Sequence, residues 1–287
     1  MSYTHSIQID PNGWSSVDYG PMHLRILASK GGRSEAGILH EAADHAIRDL
    51  DRVAEVKETL KLPYDQIRNE TNDEIARTMI RSVRSIGDRD LTPMAAVAGT
   101  LADFVADWLQ SRGMTRVIVD NGGDIAVRLS PGETVRIGVR PDVRFQSISH
   151  VILLDSRFPS WGVTTSGFGG RSFTRGIASA VTVAAQSASI ADAASTAIAN
   201  ACFVEDERVR QMPAEKLDPN TDLIGVPVTV SVGELEPEKY VRAIEQACHK
   251  AERLAGKGTI FGALVVAGGL ASMTKEMQSI MIQYVSS

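Results

Sequence analysis

The chain has 287 residues, 43% of them hydrophobic and only 5% aromatic, and a net charge of −5, which allows a sizeable core built mainly on Ala, Val and Ile. The acidic balance and the absence of a basic run argue against non-specific nucleic-acid binding, which needs positive charge to displace counterions. No apolar run is long enough to span a bilayer. The N-terminus Met1-Ser2-Tyr3-Thr4-His5-Ser6 has no positive segment leading into an apolar stretch, so an export signal is not expected. The two cysteines, Cys202 and Cys248, are too few for a disulfide framework and fit a reducing compartment. A cytoplasmic protein without membrane or nucleic-acid partners is expected, with homo-oligomer formation left open.

Met22, Leu24, Ile26 and Ala28 alternate with other residues and predict a strand over 22–29. Ile38, Leu39, Ala42, Ala46, Ile47, Leu50 and Val53 then keep helical spacing, with His40 and His45 on the exposed or half-exposed face. Asn72 is positioned to cap a helix from Asp73 to about Ser85. Thr92-Pro93 starts another, which runs to Arg112 and stops at Gly113. Its face of Ala95, Ala98, Gly99 and Ala102 is almost bare of side chain, so that another backbone or a flat ligand can approach; Asp103 and Asp107 read as solvated.

Strands around 117–119 and 125–129 flank Asn121-Gly122-Gly123-Asp124, which by itself reads as a hairpin turn. Further strands are expected at 134–140, 148–155 and 160–165. The polar stretch 205–222 reads as a surface insertion. A strand over 226–232, a helix from Pro237 through Leu254 ended by Gly256, and an apolar strand over 259–267 capped by Gly268-Gly269 complete a single domain spanning 1–287.

Between these elements lie the segments that carry chemistry. Asp192 and Thr196 sit one helical turn apart in Ala191-Asp192-Ala193-Ala194-Ser195-Thr196, among small residues that leave their face open. A carboxylate beside a hydroxyl suits a hard cation such as Mg²⁺, which takes few protein ligands. Upstream stand Gly122-Gly123-Asp124-Ile125 and Thr165-Ser166-Gly167. Gly-Gly-Asp-Ile, Thr-Ser-Gly and Ala-Asp-x-x-x-Thr in that order resemble the ApbE family, flavin transferases that use FAD and Mg²⁺ to attach FMN to a protein Thr or Ser. Leu91-Thr92-Pro93-Met94-Ala95-Ala96-Val97-Ala98-Gly99 looks still more like an uncharacterised prokaryotic branch related to ApbE. The resemblance spans roughly residues 20 to 205 and implies an ApbE-like α+β fold, mostly antiparallel strands packed with helices.

By that resemblance, Asp192 and Thr196 fall on the Mg²⁺ positions, with a backbone carbonyl near Asn121 as a third ligand. Gly122, Gly123 and Asp124 then present unhindered backbone to a ligand, while Thr164, Thr165, Ser166 and Gly167 match the loop near the flavin, FAD or FMN. The family's His-Ile-x-Asp-Pro segment is missing; Arg171-Ser172-Phe173-Thr174-Arg175-Gly176 stands there, and no histidine occurs between His150 and His249. Arg171 and Arg175 suit bidentate contact with an anion. Three readings follow. The first is an enzyme acting on a phosphorylated or carboxylated small molecule or a flavin at a metal-assisted cleft, though not an efficient FMN transferase. The second is a cofactor-binding protein without turnover. The third is a hydrolase or lyase with Ser166, Thr165 or Cys202 as nucleophile. The first is the expectation carried forward.

Overall fold

The computed structural model describes residues 6–34, 36–68, 71–142 and 148–283. In chain order these form β1 (Ser6–Ile9), β2 (Ser15–Tyr19), β3 (Met22–Lys30), β4 (Arg33–Ser34), α1 (Ala36–Glu55), α2 (Lys57–Leu60), α3 (Glu74–Ile86), a 3₁₀ turn (Pro93–Ala96) and α4 (Val97–Ser111). Next come β5 (Arg116–Asn121), β6 (Asp124–Leu129), β7 (Thr134–Val139), β8 (His150–Asp155), β9 (Ser160–Ser166), β10 (Ala180–Ala185) and α5 (Ala188–Ala201). The chain ends with β11 (Val209–Pro213), β12 (Pro227–Val232), α6 (Pro237–Gly256), β13 (Gly262–Ala267), β14 (Leu270–Met273), α7 (Lys275–Ile280) and β15 (Met281–Gln283).

The main sheet runs β1-β2-β3-β5-β6-β9-β10-β13-β14, with β4 paired to β3, and its pairings are antiparallel. β10 and β13 are buried at every position, as apolar strands are when both sheet faces are covered. One face carries the long helices; against the other lie a three-stranded sheet, β15-β8-β7, and the short α7, with Trp161 fully buried between. β3 shows the expected alternation, with Met22, Leu24, Ile26 and Ala28 buried.

Two helix starts differ from the sequence expectation. Asp73, not Asn72, caps α3, its carboxylate accepting from the Ala76 N–H at 3.0 Å. Thr92 makes no cap; its hydroxyl donates to Asp222, and Pro93–Ala96 forms a 3₁₀ turn before α4 begins. The start of α4 is capped from another helix. Asp192 of α5 accepts from the backbone N–H of Gly99 at 2.9 Å and also from that of Ala98, which satisfies donors that a helix start leaves open.

The reciprocal contact runs the other way. Asp103 of α4, expected to be solvated, is buried and accepts from the N–H groups of Ala188 at 3.1 Å and Ser189 at 2.8 Å, at the start of α5. The Arg128 guanidinium, buried on β6, donates to Asp103 at 2.9 Å and to Asp107 at 2.6 Å. Each helix thus satisfies open donors at the other's start, beside the Ser187 side chain that caps α5, and the pair is locked to the sheet.

This geometry needs close backbone approach. A Cβ at Gly99 would lie 2.2 Å from the Ala188 carbonyl oxygen, and one at Gly162 of β9 would lie 2.2 Å from the Ala188 nitrogen. The bare face of α4 therefore receives the backbone of α5. Gly99→Ala is expected to lower stability by about 1–3 kcal/mol through overpacking and to pull Asp192 off the Gly99 N–H. Urea unfolding measures the first effect, and a wild-type midpoint would refute it.

Candidate functional site

The β5–β6 turn closes through two glycines with positive φ, Gly122 at 68° and Gly123 at 107°, a conformation that side chains with a Cβ rarely adopt. The Asp120 carboxylate fastens it by accepting from the Gly123 N–H at 2.7 Å. In the sheet register Asp124 faces Thr164, while Thr165 and Ser166 oppose Thr182 and Val181. Pairing alone therefore brings the Gly-Gly-Asp and Thr-Ser-Gly segments to one end of the sheet, and α5 crosses beside them.

These segments line a cleft of about 1340 Å³, to which Gly122, Gly123, Asp124, Thr165, Ser166, Gly167, Arg171, Arg175, Asp192 and Thr196 all contribute. Burial pushes the Asp192 carboxyl up to about 7, against the pull of its two backbone hydrogen bonds. Asp124 is raised well above the usual carboxylate range, first by burial and then by the Asp192 charge, with the Arg171 guanidinium pulling it down. Ser166, 8% exposed, has a buried hydroxyl with no hydrogen-bond partner among the described residues. Such a group calls for an explanation, and a ligand is one.

The donor set fits a hard divalent ion. Asp192, Thr196 and Asp124 are oxygen donors, and burial penalises the charged form of both carboxyls, a cost that a bound cation would offset. No cluster of three or more His, Cys, Asp or Glu suited to a metal occurs among the described residues, so an ion here would draw on the Thr196 hydroxyl, backbone oxygen, water or ligand.

Four assignments from the sequence change. Thr164 is fully buried and donates to the Ser195 hydroxyl at 3.3 Å, so it faces α5 rather than a flavin. Asn121 is buried, with its side-chain amide donating to the Ala98 carbonyl at 3.2 Å. Its own backbone carbonyl, the expected third metal ligand, accepts from Arg171 at 2.9 Å. Arg175 lines the cleft, but its guanidinium is paired with Asp90 at 2.5 Å. Cys202 is fully buried outside the cleft lining, and burial pushes its thiol up to about 12. A thiol so rarely ionised is no nucleophile, which removes Cys202 from the hydrolase reading.

The polar segment 205–222 contains β11, paired to β12, and forms part of a wall. Thr229 of β12 and Gln211 of β11 both donate to the Arg175 carbonyl, and Asp218, Asn220, Thr221 and Asp222 line the cleft. Sequence reasoning missed Asp90 and Asp222. Their partners, Arg175 and Thr92, lie 85 and 130 residues away, and no local pattern reports such contacts.

The sheet, helices and cleft define an ApbE-like α+β protein. A family model described as "AbpE bacteria" matches residues 8–274, and the chain belongs to that family. A UPF0280 protein of Methanopyrus kandleri is 38% identical over 178 residues, covering 60% of this chain and 67% of the relative; one of Methanococcus aeolicus is 35% identical over 129 residues, covering 44% and 50%. The matches thus span half to two thirds of these relatives' length. In overall fold the chain is similar to the ApbE protein of Thermotoga maritima, with TM-score 0.56 and 15% identity over 97% of this chain and 99% of that one. It is likewise similar to the flavinyl transferase ApbE of Pseudomonas stutzeri in its apo form, with TM-score 0.53 and 15% identity over 97% and 96%. No helix among the described residues is long and apolar enough to cross a membrane.

Proposed function

We propose that the chain is an enzyme that binds an anionic small molecule, phosphorylated or carboxylated, or a flavin, together with a divalent cation held by Asp192 and Thr196. The supporting observation is the convergence of these oxygen donors and Asp124 with the Thr165-Ser166-Gly167 loop, whose buried Ser166 hydroxyl lacks a partner. A bound Mg²⁺ would neutralise charge on the ligand. Arg171 supplies fixed positive charge beside the loop, Ser166 offers a donor, and the loop backbone admits an anion without steric cost. The fold shared with a flavinyl transferase favours a flavin among the candidate ligands.

The test is the small molecule carried by freshly purified protein, read by native mass spectrometry and by absorbance. An anionic ligand that disappears in Thr196→Val, taken together with loss of its accompanying Mg²⁺, is expected. Protein that takes up neither Mg²⁺ nor phosphorylated or carboxylated compounds on titration would contradict the proposal.

Efficient FMN transfer to a protein hydroxyl is not expected. That attack gains about 10²–10⁴ in rate from a positioned base, and Arg175, near the place of the family's histidine, stays protonated and is tied to Asp90. Incubation with FAD, Mg²⁺ and an acceptor protein should leave the acceptor without in-gel flavin fluorescence. Labelling at the rate of a true ApbE enzyme would show that another group serves as base.

A further inference from the structure

Arg171 stands over the Gly122 turn in a position that only glycine leaves open. A Cβ at Gly122 would lie 1.7 Å from the Arg171 Nη2 and 2.3 Å from its Cζ. In that place Nη2 donates to the Asn121 carbonyl oxygen at 2.9 Å, and its charge is felt by Asp124. The turn therefore holds a monovalent cation, on an arginine side chain, against the Asn121 carbonyl, with Asp124 close enough to feel its charge. A divalent ion coordinated by the same carbonyl would face the guanidinium across one oxygen atom, and like charges at that separation repel strongly in a partly desolvated site.

We propose that Arg171 guards the cation position: docked on the Asn121 carbonyl it excludes a free divalent ion, and an anionic ligand that takes up the guanidinium opens the position to the metal. The inference rests on the reading of the cleft as a cation-and-anion site. Arg171 comes from the Gly167-Phe168-Gly169-Gly170-Arg171 segment, is solvent-exposed, and is held at the turn by its hydrogen bond to the Asn121 carbonyl. A single charge-assisted hydrogen bond is within reach of exchange for a ligand phosphate or carboxylate. The substrate class that follows is an anion that enters with its metal, rather than one added to a preloaded metal centre.

The test uses Mn²⁺ alone, without any anion beyond a weakly binding buffer, and reads free Mn²⁺ by electron paramagnetic resonance. Arg171→Gln should bind Mn²⁺ about tenfold more tightly than the wild type, the scale of one released charge-assisted hydrogen bond. Arg157→Gln removes the same charge from an exposed site whose arginine pairs with Asp155, and its affinity should match the wild type. Equal tightening in both variants would assign the effect to net charge and overturn the proposal. Measurable Mn²⁺ binding that is unchanged or weaker in Arg171→Gln would overturn it while leaving the cation site standing. No binding by any variant would overturn both the guard and the metal reading beneath it.

Discussion

Asp103→Ala is expected to cost about 3–5 kcal/mol of stability, the scale for removing one partner of a buried, hydrogen-bonded ion pair. The carboxylate does two jobs: it neutralises Arg128 and it accepts from the Ala188 and Ser189 N–H groups at the start of α5. Its loss leaves buried positive charge and open helix donors at one point. Asp107 contacts the same arginine, but its side chain is 62% exposed, so Asp107→Ala should cost under about 1 kcal/mol. Chemical denaturation of the two variants separates these outcomes; similar midpoints would mean that the α4–α5 lock lies elsewhere. Because α5 carries Asp192 and Thr196, weaker metal binding should accompany the Asp103 loss even where the protein remains folded.

The second large effect is a pH dependence centred on Asp192. Its carboxyl rises from an ordinary 3.8 to about 7 in the folded protein, chiefly through burial. Between those values the folded state holds a proton that the unfolded chain has released. Stability is therefore greatest at low pH on this group's account and is lost as pH rises from about 4 to about 7, by as much as about 4 kcal/mol. Asp192→Asn keeps an acceptor for the Gly99 N–H and removes the charge. In chelator, the variant's stability relative to the wild type should climb between pH 4 and pH 8. A flat difference would show that Asp192 is charged without penalty. Mg²⁺ added together with inorganic pyrophosphate should stabilise the wild type at pH 8, since the pair binds the ionised site of the folded state, and should stabilise Asp192→Asn less.

The sequence made legible those parts of the fold whose cause is local. β3 followed from alternation, the β5–β6 turn from paired glycines, and α6 from its start at Pro237 and its stop at Gly256. The terminal strands β1 and β15 and the short α7 carry too few residues to show a period and depend on partners far along the chain. Within the site, the order of three motifs brought Gly122, Ser166 and Asp192 into one cleft. The errors came from direction rather than proximity. Thr164 and Thr165 are neighbours on a strand and point to opposite faces, and Thr164 is the one turned onto Ser195 of α5. Asp103 and Asp107 share a spacing that suits a solvated helix face, and only the buried Arg128 of β6 shows why Asp103 is inside. Whether Asp192 holds an ion or caps α4 is undecided by spacing, because a carboxylate with two oxygens has the capacity for both; here Oδ2 meets the Gly99 N–H.

The central claim is that one cleft holds a divalent cation on Asp192 and Thr196 with an anion against Thr165, Ser166 and Gly167. Anomalous diffraction from crystals soaked with Mn²⁺ and inorganic pyrophosphate tests it most directly. The expected result is a manganese peak bonded to the Asp192 carboxylate and the Thr196 hydroxyl, with pyrophosphate oxygens on the metal, on the Ser166 hydroxyl and on Arg171. Manganese and pyrophosphate found only away from Asp192 and Thr196, at concentrations where solution binding is saturated, would contradict it.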